Sequence, residues 1–292
     1  MSTTLTEKRH INLDDLIPSP AVAAGYVNRT VKEFLEFDTF DAAVASGHNV
    51  LIEGPTGSGK TFSYRAYAAA RGLPFYTVAM NQALDMGVLL GGWVPDGSGQ
   101  LVWFDGVIPT MIKEERGVVL FDELNMAAER NVSRFYDFWD SRREIVVYEH
   151  YGEVLQIAPG SSILLGAAYN RGYRGTRELS QALPNRFAFK MRFDYDDEIE
   201  AQLVPSASIR EVAGKLRLMK REVKTPVSTN MLIEFCEIAM AFSTDYAIEN
   251  WNQAFPPAER ASVDQVITLH RDRISEEIEA ASTALDQAES EA

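Results

Sequence analysis

Residues 54–61, with the sequence GPTGSGKT, constrain the fold of this chain more than any other stretch. They follow the apolar run 50–52, which is typical of a buried strand, and they satisfy the pattern G-x-x-x-x-G-K-[ST]. Glycines let main-chain N–H groups turn inward around phosphate groups, and a helix that begins at Lys60 adds its positive end. The order of strand, glycine-rich loop and helix predicts an α/β fold that binds a nucleoside triphosphate, with ATP as the expected ligand.

A second apolar run, residues 117–121, ends in Asp122 and Glu123. Carboxylates in this position are suited to hold Mg²⁺ and to polarise an attacking water molecule. We therefore expect Thr61 and Asp122 to be the Mg²⁺ ligands, Lys60 to contact the β- and γ-phosphates, and Glu123 to be the catalytic base. The predicted nucleotide-binding residues are Gly54, Pro55, Thr56, Gly57, Ser58, Gly59, Lys60, Thr61 and Asp122.

Two further residues complete the predicted catalytic set of Glu123, Lys60, Asn170 and Arg186. Asn170 ends a third apolar run, residues 162–169, where its amide can orient the attacking water. Arg186 lies in the sequence ALPNRF, residues 182–187, and is interpreted as an arginine finger that stabilises transition-state charge in a neighbouring subunit. The alternative for Arg186 is a surface arginine that pairs with an acidic residue.

Together, residues 54–61, Asp122, Glu123, Asn170 and residues 182–187 resemble the AAA+ ATPases of the MoxR group, especially the CbbQ/NirQ/NorQ/GvpN type of the dynein-related subfamily. The resemblance extends over residues 25–245. It implies a P-loop core, in which a parallel sheet has helices on both faces, and an all-α lid. It also implies a homo-oligomeric ring, expected to be a hexamer, that works with a von Willebrand factor A (VWA) domain protein on a protein client.

Two segments favour this branch of the AAA+ proteins and are predicted to be β-hairpin insertions. Residues 89–93 and 99–106 flank the turn signal 95–99, and residues 142–148 and 152–157 flank a second turn. Trp93, Trp103 and Phe104 are candidates to grip a partner segment in the channel of a ring. An aromatic cluster that stabilises its own hairpin is an equally valid interpretation.

The predicted lid departs from the family pattern at one position. Members of this group usually have Ser-Thr-Arg at the start of a lid helix, and the arginine is called sensor 2, whereas here Ser228 and Thr229 are followed by Asn230. A neutral amide cannot supply a charge contact to the γ-phosphate, so slower hydrolysis or a weaker lid response is expected. Arg217 and Arg221 are candidate substitutes.

The predicted organisation has four parts: an N-terminal lead-in (1–24), the α/β core (25–194), a helical lid (195–270) and an acidic, solvated C-terminal helix or tail (271–292). The family resemblance places part of the adenine pocket at residues 26–31. A single cysteine, Cys236, excludes an internal disulfide framework. No signal peptide or membrane-length apolar run is present, so a cytoplasmic protein without membrane contact is expected.

A formal net charge of −14 disfavours nucleic acid and favours a protein or peptide client. Two alternatives stay open. One is a nucleic-acid-translocating or restriction-type AAA+ motor, and the other is a nucleotide-gated scaffold with little turnover. A metabolic kinase with the same phosphate loop is disfavoured, because it would not need the series of Asp122, Glu123, Asn170 and Arg186.

Overall fold

The computed structural model of the chain describes residues 11–80, 84–170 and 182–291. They divide into two compact units. The first unit comprises Met1–Gly54 and Lys60–Phe193, and the second comprises Pro55–Gly59 and Asp194–Ala292. Five residues of the phosphate loop (residues 54–61) therefore pack with the C-terminal unit, although the sequence pattern assigns them to the core.

The first unit contains eleven strands and seven helices within the described ranges. The strands are β1 Thr30–Val31, β2 Phe34–Leu35, β3 Val50–Glu53, β4 Phe75–Ala79, β5 Gly91–Pro95, β6 Leu101–Asp105, β7 Arg116–Asp122, β8 Glu144–Val147, β9 Glu153–Gln156, β10 Ser162–Tyr169 and β11 Phe189–Arg192. The helices are α1 Pro20–Ala24, α2 Glu36–Ser46, α3 Lys60–Arg71, α4 Met86–Leu90, α5 Val107–Lys113, α6 Glu129–Val132 and α7 Tyr136–Trp139.

A five-stranded parallel sheet forms the centre of the first unit, with the strand order β11-β3-β10-β7-β4. Its strands are short apolar runs because a parallel sheet is covered on both faces. Val50 and Ile52 of β3 face one apolar core, where they meet Phe40 of α2 and Tyr67 of α3. Leu51 faces the other core, which α5 and α7 help to fill. The predicted α/β fold with helices on both faces is confirmed.

Tyr64 of α3 is buried directly against the centre of this sheet. Its hydroxyl donates to the main-chain oxygen of Val50 at 3.0 Å and lies 3.3 Å from that of Ala167. The ring fits because residue 166 is glycine. A Cβ atom at that position would lie 2.2 Å from Tyr64 Cε1. The close approach of α3 to β10 therefore requires Gly166.

Both predicted hairpins are present, and aromatic residues join them. β5 pairs with β6 and β8 pairs with β9, each pair antiparallel. The Trp93 indole donates to the main-chain oxygen of Glu149 at 3.0 Å, and the Trp103 ring stacks on His150 with a centroid distance of 4.3 Å. Within the first hairpin, the rings of Trp93 and Trp103 are 5.6 Å apart and edge-on. This contact agrees with the interpretation in which the aromatic residues stabilise their own hairpin, and the cluster extends to the second hairpin. Tyr151, at its turn, is 88% exposed.

The second unit is helical beyond its loop segment. Its helices are α8 Asp197–Leu203, α9 Ala207–Leu218, α10 Thr229–Ala241, α11 Thr244–Gln253, α12 Pro257–Thr268 and α13 Arg271–Glu291. A separate apolar core lies among them and includes the buried Cys236. No helix within the described ranges is both long and apolar enough to span a membrane.

The first half of α13 is part of this second core, so the expectation of a solvated C-terminal helix is wrong there. Ile274 and Ile278, one turn apart, are buried. Between them, the Glu277 carboxylate accepts hydrogen bonds from the Ser206 hydroxyl at 2.6 Å and from the Ser208 amide at 2.9 Å. The acidic bias of the segment hides these two apolar positions, which suffice to anchor the helix.

A buried carboxylate, Glu36, lies between the start of α2 and α3. The Ser63 hydroxyl donates to its Oε1 at 2.9 Å, and Arg29 Nε lies 4.0 Å from its Oε2. Burial raises the pKa of Glu36 from its ordinary value of 4.5 to about 7, although the nearby hydroxyl and guanidinium groups oppose the shift.

We predict that Gly166→Ala lowers the free energy of unfolding by about 1–3 kcal/mol, the usual cost of overpacking a core. The added methyl would collide with the fully buried ring of Tyr64. Urea unfolding followed by tryptophan fluorescence measures the change. Gly92→Ala is the control in the same unit, because a Cβ there has no neighbour within 4 Å. Equal midpoints for the two variants would contradict the assigned packing.

We predict that the contribution of Glu36 to the free energy of unfolding falls as the pH rises from about 4.5 to 7, because folded Glu36 keeps a proton that the unfolded chain releases near pH 4.5. Relative to Glu36→Gln, the wild type should lose about 3 kcal/mol across this range. Unfolding curves at pH 5 and pH 8 measure the difference. Glu33→Gln is the control, since Glu33 is exposed. A constant gap between wild type and Glu36→Gln would refute the buried, protonated carboxyl.

Candidate nucleotide-binding site

The phosphate loop connects the end of β3 to the first residue of α3. Gly57 and Gly59 have φ angles of +65° and +87°, in the left-handed region that favours glycine. Ser58 is buried, and its hydroxyl donates to the main-chain oxygen of Pro55 at 2.9 Å. At the start of the loop, the Gly54 amide donates to the main-chain oxygen of Tyr169 at 3.3 Å. The loop conformation therefore favours glycine at positions 57 and 59 of the motif.

Lys60 and Asn170, two residues of the predicted catalytic set, are in direct contact. Lys60 Nζ donates to Asn170 Oδ1 at 2.7 Å and to the main-chain oxygen of Gly54 at 3.1 Å. Burial lowers the pKa of Lys60 to about 8, while Asp122 and Glu123 oppose the shift through their negative charge. The ammonium group thus sits in a partly desolvated position at the ends of two neighbouring strands, β3 and β10.

Thr61 and Asp122, the predicted Mg²⁺ ligands, are also paired. The Thr61 hydroxyl donates to Asp122 Oδ2 at 2.6 Å. Mg²⁺ prefers oxygen ligands, usually one or two from the protein with waters and phosphate oxygens completing the shell. A hydroxyl and a carboxylate at this spacing fit that preference, so the residues present suit the ion.

Glu123 follows directly after β7 in an unusual conformation. Its φ and ψ angles are 55° and 40°, and its amide donates to Asp122 Oδ1 at 2.9 Å. A glutamate in the left-handed region is uncommon, and such conformations often occur at functional sites. Glu123 is exposed, so a water molecule can approach its carboxylate.

Asn125 is a site residue that the sequence reasoning missed. It is buried, and its amide nitrogen donates to the main-chain oxygen of Asn170 at 2.7 Å. This bond ties the turn after β7 to the end of β10, the neighbouring strand. The available signal was a polar residue two positions after Glu123 in an otherwise apolar turn, which predicts a hydrogen-bonding role.

Arg186 packs against its own chain in this structure. Its guanidinium carbon lies 4.3 Å from the centre of the Tyr136 ring, and NH1 donates to the main-chain oxygen of Ala182 at 2.9 Å. Its buried Nε has no hydrogen-bond partner among the described residues. A contact of Arg186 with a neighbouring subunit stays a prediction.

The two candidate substitutes for sensor 2, Arg217 and Arg221, have different surroundings. Arg217 uses all three of its guanidinium nitrogens: NH1 and NH2 bind the carboxylate of Glu200 at 2.9 and 2.6 Å, and Nε donates to the main-chain oxygen of Val227 at 2.9 Å. It is therefore a structural residue of the second unit in this conformation. Arg221 and Asn230 are exposed.

Comparisons with known proteins agree with this geometry. A family model described as "AAA domain (dynein-related subfamily)" matches residues 49–187. Protein NorQ of Paracoccus denitrificans is 31% identical over 227 residues, which are 73% of this chain and 82% of that protein. The uncharacterized protein SH1500 of Staphylococcus haemolyticus is 30% identical over 219 residues, 69% of this chain and 81% of that protein.

Among solved structures, one from Cytophaga hutchinsonii aligns over 88% of this chain and 87% of that chain, with a TM-score of 0.45 and 16% identity. The family model covers strands β3, β7 and β10, which lead to the phosphate loop, to Asp122 and to Asn170. The similarity to NorQ extends over a longer part of the chain. This chain therefore belongs to the AAA+ ATPases of the MoxR type, within the dynein-related subfamily.

Proposed function

We propose that this protein is a Mg²⁺-dependent ATPase that assembles into a ring and uses hydrolysis to remodel a protein client. The observation that carries the proposal is the pairing of Lys60 with Asn170 and of Thr61 with Asp122 at the carboxyl ends of three adjacent strands. Ligands of α/β sheets bind at such ends. The pairs bring a cation, an amide and hard oxygen ligands to one edge of the sheet.

In this proposal, Lys60 binds the β- and γ-phosphates. Its lowered pKa reflects the cost of burying a cation, which the negative charges of Asp122 and Glu123 oppose. A polyphosphate beside Nζ would stabilise the charged form and remove that cost. The contact with Asn170 would then be exchanged for, or shared with, a phosphate oxygen.

Thr61 and Asp122 would hold Mg²⁺ by their hydroxyl and carboxylate oxygens, the latter through water. When bound, the ion neutralises developing negative charge on the phosphates. In the structure, Asp122 accepts from the Thr61 hydroxyl with one oxygen and from the Glu123 amide with the other. These bonds orient the carboxylate.

Glu123 would polarise the attacking water, and Asn170 would orient it. The two residues follow neighbouring strands, β7 and β10. Asn125 supports this arrangement, because its bond to the main chain of Asn170 keeps the two strand ends in register. Proton abstraction by Glu123 requires an exposed, ionised carboxylate, and its exposure is consistent with that role.

Arg186 would act in the active site of an adjacent subunit of the ring. Its guanidinium must then leave or extend past Tyr136, on which it now lies. Within the described part of the chain, its buried Nε has no hydrogen-bond partner. Movement away from Tyr136 would expose this donor to a phosphate oxygen of the adjacent subunit's nucleotide. The ring itself, its expected hexameric state and this contact rest on the family.

The client is proposed to be a protein, delivered or selected with a VWA-domain partner, as the family resemblance implies. The charge of −14 supports a protein over a nucleic acid, since phosphate backbones would be repelled from most of the surface. The turn between β8 and β9 has two exposed aromatic residues, Tyr148 and Tyr151, that are suited to such contacts. Because ATP is the substrate, we place the protein in the cytoplasm.

A second candidate is a nucleotide-gated scaffold that binds ATP with little turnover. The engagement of Arg217 with Glu200 and the neutral Asn230 favour it, because neither side chain supplies a free cation to the γ-phosphate. Tight ATP binding without phosphate release, even after partners are added, would identify this function.

We predict that Glu123→Gln lowers kcat for ATP hydrolysis by about 10²- to 10⁴-fold, the usual contribution of a general base. The Kd for ATP should change little, because the amide is of similar size and Lys60 is untouched. Phosphate release and equilibrium ATP binding, measured on the same samples with Mg²⁺, separate the two effects.

Glu129→Gln is the matched control, since Glu129 is exposed at the start of α6, outside the proposed site. It should hydrolyse ATP at the wild-type rate. Full activity of Glu123→Gln would remove its catalytic role, whereas ATP binding without phosphate release by the wild type would leave the scaffold as the better hypothesis.

We predict that Arg186→Ala and Glu123→Gln, each nearly inactive alone, restore ATPase activity when their subunits are mixed. An Arg186→Ala subunit keeps Glu123 and would receive the arginine of a Glu123→Gln neighbour, so about a quarter of the sites should be complete at an equal ratio. Phosphate release is measured at constant total protein over a series of mixing ratios. Arg192→Ala, at an exposed position that ends β11, is the control and should be active alone. Mixtures no more active than the separate variants would argue against action between subunits.

A further inference from the structure

Part of the phosphate loop contacts the segment that precedes the lid helices. The Tyr195 hydroxyl donates to the main-chain oxygen of Thr56 at 2.9 Å. Both residues belong to the second unit, and Tyr195 is half-buried just before α8. This bond reaches a loop that the sequence assigns to the nucleotide, from a residue that no motif includes.

The bond determines the direction of a neighbouring donor. The Thr56 carbonyl and the Gly57 N–H belong to one planar trans peptide unit, so they point in opposite directions. Because the Tyr195 hydroxyl holds the carbonyl, the Gly57 N–H is directed away from Tyr195. Main-chain N–H groups of such loops are the donors that bind phosphates. Tyr195 is thus placed to pre-orient one of them.

A second contact holds the same peptide unit from the start of α10. A Cβ atom on Gly57 would lie 2.5 Å from Ser228 Cβ and 2.6 Å from Ser228 Oγ. Ser228 is buried and caps α10, where its hydroxyl accepts from the Met231 amide at 3.3 Å. The loop main chain therefore packs directly on this helix cap. Ser228 lies two residues before Asn230, which occupies the position of the family's sensor 2 arginine.

Tyr195 is itself held in place by a buried ion pair. The Arg217 guanidinium carbon lies 4.2 Å from the centre of the Tyr195 ring. Arg217 binds both carboxylate oxygens of Glu200, which is 1% exposed. The Thr229 hydroxyl donates to the same carboxylate at 2.6 Å. Desolvated, hydrogen-bonded charges of this kind have little freedom to rearrange.

We propose that Tyr195 is a positioning residue for nucleotide binding: with Ser228, it couples the lid helices to the phosphate loop through the loop's main chain. In the family, the lid reaches the nucleotide through the charge contact of sensor 2; here the link from the lid runs through Tyr195 and Ser228 to the main chain of the phosphate loop. The inference rests on the proposed nucleotide site and goes beyond it, because it assigns the lid's connection to a neutral hydrogen bond and a close packing contact.

Tyr195→Phe tests the proposal, because it removes the hydroxyl and keeps the ring that packs on Arg217. We expect the Kd for ATP and the Kd for ADP to rise by about 3- to 10-fold, the effect of one neutral hydrogen bond. The KM should rise similarly with kcat within about 2-fold, because pre-orientation of a binding group acts on substrate and transition state alike. The thermal midpoint without nucleotide should stay unchanged.

Tyr246→Phe is the matched control, since Tyr246 is an exposed tyrosine on α11 of the same unit. It should leave both Kd values at the wild-type level. Titrations with a fluorescent ATP analogue and competition by ATP and ADP measure the affinities, and differential scanning fluorimetry without nucleotide measures folding.

The outcomes separate this inference from the proposed function. Weaker binding by Tyr195→Phe at an unchanged thermal midpoint supports the inference, whether or not the wild type turns over ATP. Unchanged affinity in Tyr195→Phe overturns it, while the ATPase proposal stands if the wild type releases phosphate. If Tyr195→Phe lowers the thermal midpoint without nucleotide as well as the affinity, Tyr195 is a residue that stabilises the fold, and the positioning role is overturned. A wild type that binds neither nucleotide overturns both proposals.

Discussion

The need to cover both faces of one parallel sheet determines where the proposed catalytic groups Lys60, Glu123 and Asn170 lie. Alternate residues of β3, β7 and β10 fill two apolar cores, and only the strand ends are free to carry polar side chains. Because β10 lies between β3 and β7, Asn170 ends beside both Lys60 and the turn after Asp122. The seating of Tyr64 against Gly166 sets how closely α3, and with it Lys60, approaches these ends.

Within that frame, the electrostatic balance at Lys60 suits a site for a polyanion. Nζ contacts a main-chain oxygen and an amide oxygen, both uncharged, while the carboxylate of Asp122 is engaged with Thr61 and with the main chain. In these two bonds the positive charge meets the dipoles of a carbonyl and an amide group. Burial lowers the pKa of Lys60, and the negative charges of Asp122 and Glu123 oppose the shift.

Much of this arrangement could be predicted from the sequence, because glycine spacing, apolar runs and terminal carboxylates are local signals. Residues 54–61 and Asn170 follow strands and Asp122 ends one, and both hairpins form where turn signals stand between apolar segments. Contacts made to main-chain atoms were not predictable in this way. Asn125 and Tyr195 donate to carbonyl groups 45 and 139 residues away in sequence, and a carbonyl group carries no side-chain signature.

The sequence pattern also does not predict the burial of side chains in segments where charged residues dominate. Glu36 has the appearance of an ordinary first-turn acid, yet it is fully buried beside Ser63. The start of α13 is similar, because Ile274 and Ile278 are two apolar residues in an acidic stretch. In both cases tertiary packing decides the environment, and periodicity over a single helix is too short to reveal it.

The contact between the two hairpins gives them a common mechanical behaviour. A two-stranded hairpin alone bends easily at its base, since it has no third strand to stiffen it. Here the Trp103–His150 stack and the Trp93–Glu149 bond cross from one hairpin to the other near the exposed turn. The two hairpins therefore bend together. Displacement of either tip is opposed by all four strands and by the attachment of each hairpin to the rest of the unit.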